Sequence, residues 1–236
     1  MLRRIKYKGT AIEYELRQTN RRSVECRVEP GRVTVFAPFS YPVSAADEFV
    51  LRQGDWILTT LRQAGQRAEA KLERDVQSMQ DGSLIPIEGK EYALMCLPGS
   101  QTVVKTDKDR LVVFGAPKDP LKVREAVRGY LVRLALVRFE ERVKYFAPLV
   151  GVHPKKVTLR EQKTKWGSCS SLGNLNFNWK LIMAPPDVLD YVVVHELCHL
   201  IELNHSPAFW ALVKKHKPDY ERWRDYLKNG IKSPFD

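Results

Sequence analysis

Two histidines and a glutamate stand together in the run Tyr191-Val192-Val193-Val194-His195-Glu196-Leu197-Cys198-His199-Leu200-Ile201. In a helix that turns about 100° and rises about 1.5 Å per residue, positions i and i+4 share a face, so His195 and His199 reach a single cation. Glu196 lies about 100° round the helix, beside that ion rather than on it, where a carboxylate takes a proton from a metal-bound water. The chemistry implied by this HExxH spacing is metal-assisted hydrolysis. Val192 to Val194 and Leu200 to Ile201 mark the helix as buried, and buried imidazole and carboxylate groups demand partners.

A catalytic zinc takes three protein ligands and keeps one open position. Glu202 shares the face of His195, but a helix sets the two about 10.5 Å apart, too far for ligands about 2 Å from one ion. The helix is expected to end near Asn204, a residue tolerant of the left-handed C-cap, with Pro207 blocking its continuation. Ser206-Pro207 reads as an N-cap followed by a proline at the first helical position, opening a helix with Phe209, Trp210 and Val213 on its apolar side. His205, pinned between these caps, is expected to swing back as the third ligand of one Zn2+ ion. Three neutral imidazoles leave zinc its full charge and draw the pKa of a bound water toward about 7. Glu196 then accepts that proton and hands it to the leaving group. A purely structural zinc would close its fourth position with protein, Cys169 for example, and would have no use for Glu196. His153 and His216 have no partner at useful spacing and read as surface residues.

The spacing HExxHxxxxxH is also that of metzincins, yet Glu202 stands where their turn glycine would be. The longer string from His195 to Trp210, with Lys165-Trp166-Gly167-Ser168-Cys169 and Asn178-Trp179-Lys180-Leu181-Ile182 upstream, resembles the YgjP-like metallopeptidase family, which is related to SprT-type zinc proteases. The likeness continues weakly through Arg21-Arg22, the Pro30-Gly31 turn, Val33 to Pro38 and Trp56-Ile57, so it touches most of the chain. It implies a metallopeptidase with His195, His199 and His205 on zinc and Glu196 as acid/base, the assignments that the spacing also reaches.

The 236 residues suffice for one large or two small domains. No apolar stretch approaches the length of a membrane span, and Met1 to Lys6 lacks the apolar core of a secretory signal, so a cytoplasmic protein is expected. Cys26, Cys96, Cys169 and Cys198 show no CxxC spacing and read as reduced thiols. Ile12, Tyr14 and Leu16 alternate with polar residues, as do Val24, Cys26 and Val28, then Val33 and Val35, which predicts antiparallel strands. Ser44 with Asp47 reads as a capping box opening a helix to about Glu73. A second strand group follows at 85–87, 92–96, 103–104 and 111–114. These elements make residues 1–115 a β-rich domain with one helix.

The proline-containing stretch 116–120 is the expected boundary, and 119–236 the catalytic domain. Asp119-Pro120 caps a long helix carrying Val127, Tyr130, Leu134 and Val137 until Pro148. Strands at 157–162 and 175–181 come next, then the metal helix from Pro185-Pro186, and a last helix from Pro218 to about Lys228 stopped by Gly230. The fold class is α+β, and its second half has the zincin-like order helix, small antiparallel sheet, HExxH helix. A sheet edge beside the metal would align an extended peptide. No internal repeat is apparent.

A net charge of +11 and a pI near 9.5 give a surface that attracts anions. Arg160, Lys163, Lys165 and Lys180 fall on the strands that flank the metal, and Lys214, Lys215 and Lys217 on the helix after it. Three substrate or partner classes stay open. The first is a peptide or protein. The second is an anionic nucleotide hydrolysed at the metal by a nucleoside-triphosphate pyrophosphohydrolase, with Trp166 or Trp179 stacking the base, since some YgjP-like proteins are described as pyrophosphatases. The third is nucleic acid held by a non-catalytic zinc-stabilised module, which no recognised motif supports.

Overall fold

Buried Ile12, Tyr14 and Leu16 alternate with more exposed neighbours along β2 (Thr10–Thr19), the pattern of a strand with one face on a core. The structure, a computed structural model, describes every residue except Lys163 and Asp236. The chain forms two compact units, Met1–Arg74 and Asp75–Asp236.

In the first unit β1 (Leu2–Tyr7), β2, β3 (Glu25–Glu29) and β4 (Arg32–Pro38) form a sheet in the order β1-β2-β4-β3. Helices α1 (Val43–Arg52) and α2 (Gly54–Gln77) follow, α2 running on into the next unit. Val35, Ala46, Val50 and Ile57 close the core with the β2 residues. The single long helix expected here is interrupted at Gln53. Gly54 is buried against Tyr7, where an added Cβ would come within 2.6 Å of the ring. The capping box does not form either: Pro42 occupies the cap without a side-chain bond, and Asp47 instead pairs with Arg3 and accepts a hydrogen bond from Tyr14 Oη at 2.6 Å.

The second unit contains β5 (Leu84–Ile87), β6 (Lys90–Leu97), β7 (Val103–Asp107) and β8 (Arg110–Phe114), in the order β5-β6-β8-β7. After α3 (Pro120–Val150) come β9 (Lys156–Arg160), β10 (Gly167–Cys169) and β11 (Asn174–Asn178), a 3-10 turn at Trp179–Met183, and helices α4 (Pro186–Cys198), α5 (Pro207–His216) and α6 (Tyr220–Lys228). The chain therefore divides between 74 and 75 rather than at 116–120. The reason is the core: Ile85, Leu94 and Val113 of the second sheet are buried with Val127 and Leu131 of α3 and Val193 of α4, so the proline-containing stretch is a turn within one unit. Asp119 caps α3 as expected, accepting from Leu121 N at 2.9 Å. Pro148 does not stop this helix. It falls in the last turn, and the end comes at Gly151, whose φ of 82° suits the left-handed cap.

The order long helix, small sheet, HExxH helix matches the expectation, but the small sheet is mixed. β11 lies between β10 and β9, antiparallel to the first and parallel to the second. All three sheets obey this rule. The last strand of each sits inside the sheet, parallel to the strand two before it and antiparallel to the one just before: β4 with β2 and β3, β8 with β6 and β7, β11 with β9 and β10. Arg32-Val33-Thr34-Val35-Phe36 of β4 is echoed by Arg110-Leu111-Val112-Val113-Phe114 of β8. Ala37-Pro38, Ala116-Pro117 and Ala184-Pro185 each precede a helix. The architecture repeats although the sequence shows only these traces.

Candidate metal centre

Pro186 at the start of α4 and an apolar run of Val188, Leu189 and Val192 to Val194 set a buried helix whose far end presents His195, Glu196 and His199. Helix α4 ends at Cys198, earlier than Asn204, because the chain tightens into 3-10 bonds, with Leu200 N on Leu197 O at 3.1 Å and Ile201 N on Cys198 O at 3.0 Å. Tightening brings Glu202 O within 3.0 Å of His199 Nδ1. That nitrogen carries its proton toward the carbonyl, which leaves Nε2 as the ligand atom. Glu202 thus serves through its backbone, having been dismissed as a side-chain ligand.

Ser206 caps α5 as expected, its Oγ accepting from Phe209 N at 3.2 Å, and His205 immediately precedes it. Ligand atoms of His195, His199 and His205 all lie within 4.8 Å of one another, the first two half-buried and the third exposed. His205 Nε2 is 3.0 Å from His195 Nε2. Two ligands of a tetrahedral zinc stand about 3.3 Å apart at the usual Zn–N length, so this pair of ring nitrogens lies close to the separation an ion would impose. His195 Nδ1 is buried with no hydrogen-bond partner among the described residues. Burial, then the neighbouring His199 and His205, push His195 down to about 3, and burial also lowers His199. Both rings are neutral, the form that binds a metal. Phe209 stacks on His199 with ring centroids 4.5 Å apart, and Trp210 stacks on His205 at 5.6 Å, with Tyr220 behind it at 5.3 Å. Aromatic packing holds the otherwise exposed third ring.

Glu196 is buried to 5% exposure beside this cluster. Burial raises its pKa to about 8, an effect that Lys165 opposes. A carboxyl so placed is a candidate for proton exchange with a group in the cleft. Its seat is made by Gly167 of β10: a Cβ at that position would fall 2.5 Å from Glu196 Oε1 and 2.8 Å from its Cγ. In the sequence this glycine stands only within the string Lys165 to Cys169 that carries the family resemblance, and neither spacing nor periodicity gives it a role.

The cleft over the cluster has a volume of about 450 Å³, with Lys165, Trp166, Tyr191 and Leu203 among its walls. Strand β10 is an edge of its sheet. Asn178 N bonds Trp166 O at 2.8 Å and Ser170 N bonds Asn174 O at 2.9 Å. By antiparallel alternation, the backbone polar groups of Gly167 and Cys169 face away from β11, toward the free edge. Cys169 lines the cleft, but the ligand cluster contains only histidines among the described residues. Burial pushes the Cys169 thiol up to about 11, which keeps it protonated.

Other candidates fall elsewhere. Trp179 is in the core at 2% exposure, packed edge-on against Phe235 at 5.3 Å, and is not available to stack a base. Lys180 pairs with Glu161 at 3.4 Å. Lys217 is buried and tied to Asp187 at 2.6 Å, not part of a solvated basic face. Lys163 lies outside the described residues. His153 is exposed, whereas His216 is half-buried with its Nε2 enclosed and unpartnered among the described residues. No helix among the described residues is long and apolar enough to cross a membrane.

Two solved structures resemble part of the chain: the metallopeptidase zymogens abylysin of Pyrococcus abyssi, 19% identical with a TM-score of 0.35, and jannalysin of Methanocaldococcus jannaschii, 17% identical with a TM-score of 0.36. Each likeness covers 40% of this chain and 97% of the other. No protein of curated function matches the chain. The model of the YgjP-like metallopeptidase domain matches residues 22–230, and with nearly its whole length so matched the chain belongs to the YgjP-like metallopeptidase family.

Proposed function

We propose that the protein is a zinc-dependent peptidase in which His195, His199 and His205 hold one ion and Glu196 is the general base and then the general acid. The observation that carries this reading is the convergence of three imidazole ligand atoms within 4.8 Å beside a buried glutamate. The donor set fits zinc: three imidazole rings, one of them oriented by a backbone carbonyl, and no fourth side chain in the ligand cluster among the described residues.

A zinc ion bound there supplies Lewis acidity, polarising an amide carbonyl and making a nearby water easier to deprotonate. The chain's own groups do the rest. An extended peptide pairs with the outward backbone groups of Gly167 and Cys169, which lays its scissile bond along the cleft. Glu196 takes the proton of the attacking water and delivers it to the departing nitrogen, so that the amine leaves neutral. Burial beneath Gly167 keeps that carboxyl in one orientation and limits competing water.

Peptide is favoured over nucleotide because the base-stacking role has no residue to fill it on the Trp179 side, while the strand edge suits an extended chain. The test is the zinc-loaded protein assayed against β-casein and a panel of nucleoside triphosphates, beside Glu196→Gln. The expected result is casein cleavage that falls by about 10³-fold in the variant with zinc content unchanged. Release of phosphate or pyrophosphate without peptide cleavage reverses the assignment.

A further inference from the structure

Amide hydrolysis builds negative charge on the carbonyl oxygen, and a preorganised cation or hydrogen-bond donor facing that oxygen is worth about 10²- to 10³-fold in rate. Glu196 is committed to proton transfer and the three imidazoles to the ion. Lys165 is the one lysine or arginine among the described residues that line the cleft. It lies on the segment entering β10, two residues before Gly167, whose missing side chain seats Glu196. Its neighbours are committed elsewhere: Lys180 and Arg128 to Glu161, Lys217 to Asp187, and Arg224 over the rings of Trp210 and Tyr220. Lys165 is exposed and makes no ion pair or hydrogen bond among the described residues.

We propose that Lys165 is a catalytic residue of this cleft, its ammonium meeting the oxygen of the scissile carbonyl as that oxygen gains charge. The assignment rests on the peptidase reading above. The edge strand gives it geometric sense, because a peptide paired to β10 runs past Lys165 before it reaches Glu196. A flexible four-carbon stem lets the ammonium follow the oxygen while the backbone stays in the strand. The water's proton passes to Glu196 and then to the leaving nitrogen as the C–N bond breaks; Lys165 stays protonated throughout.

The experiment compares the zinc-loaded full chain with Lys165→Met and Lys165→Arg, using a fluorogenic casein-derived peptide, with zinc content and circular dichroism measured on each. The expected result is a kcat about 100-fold lower in Lys165→Met with KM within about two-fold, and partial recovery in Lys165→Arg. A phosphinic peptide, which mimics the charged oxygen, should bind Lys165→Met at least ten-fold more weakly, while the matching amide binds equally. An unchanged kcat, or a rise in KM alone, overturns the proposal and leaves the peptidase reading standing. A wild-type protein that cleaves no peptide overturns both.

Discussion

A shift of 143 residues carries Cys26, Phe49, Gln53 and Trp56, the four residues that line a groove of about 230 Å³ in the N-terminal unit, onto Cys169, Val192, Glu196 and His199. Those four line the histidine cleft of the second unit. Asp47, which takes Arg3 and Tyr14, falls on Asp190, which holds Arg142 through bonds of 2.6 and 2.9 Å. The two clefts share an architecture and differ in equipment. Gln53 is a neutral amide where Glu196 is a carboxyl group, and Trp56 is an indole where His199 is an imidazole. Helix continuity differs too: α4 runs unbroken past Glu196, whereas α1 stops before Gln53 at the point where Tyr7 of β1 packs on Gly54. The third sheet has no counterpart of β1. The ladders add a final difference. Leu16, Val35 and Cys26 form one cross-strand row and Leu159, Phe177 and Gly167 another, so the ladders of the two units are out of step by two residues with the shift that sets Cys26 on Cys169. The two grooves thus differ in the continuity of the helix that floors them and in the residue types that line them.

Each difference is open to a break test. The largest effect is expected at the ligands. His199→Ala should weaken zinc binding by well over 100-fold, more than the loss of a group that merely orients a ligand, as read by competition with a chromophoric chelator. Trp56→Ala should leave it unchanged; zinc lost from both would end the distinction between the clefts. Next comes the strand. Gly167→Ala drives a methyl into the glutamate and should lower peptide hydrolysis by about 100-fold with zinc retained, while Cys26→Ala leaves the rate alone. Equal rates for Gly167→Ala and wild type would remove the glycine from the site.

The smallest expected effect concerns stability. Hydrogen bonding to Arg3 holds the Asp47 carboxyl below its ordinary value of 3.8, with Tyr14 adding to the effect. A carboxylate whose folded value is depressed stabilises the fold fully above its unfolded pKa and loses that contribution as pH falls through the folded one. Thermal melts of the wild type should therefore drop below about pH 4, and Asp47→Asn should cost about 1–3 kcal/mol at pH 7 while flattening that acid limb. A melting curve with the same acid slope in both proteins would exclude Asp47 as its source.

The candidate site was legible because its information is local. Helical spacing places His195, Glu196 and His199 without knowledge of the rest of the fold, and the Ser206-Pro207 cap marks where His205 stands, although the preceding helix ends at Cys198 rather than near Asn204. Gly167 was not legible, since its meaning depends on Glu196, a residue twenty-nine positions later on a helix that only the fold brings beside it. Strands were readable from alternation, but alternation does not name a strand's partner, so the parallel pairing of β9 with β11 was missed. The boundary at 116–120 failed because proline and polar residues mark a turn equally well inside a unit, and only the shared burial of Leu94, Val113 and Val193 shows which it is. Repetition escaped notice because it resides in strand order and leaves few identities behind.

The reactive cleft stands downstream of both four-stranded sheets, and its third histidine follows every strand of the molecule. Chains are synthesised from the amino end and tend to fold in that order. While the polypeptide is still being made, the sheets are complete and His205 has yet to emerge from the ribosome. The three imidazoles therefore meet only on a scaffold whose strands have all been made.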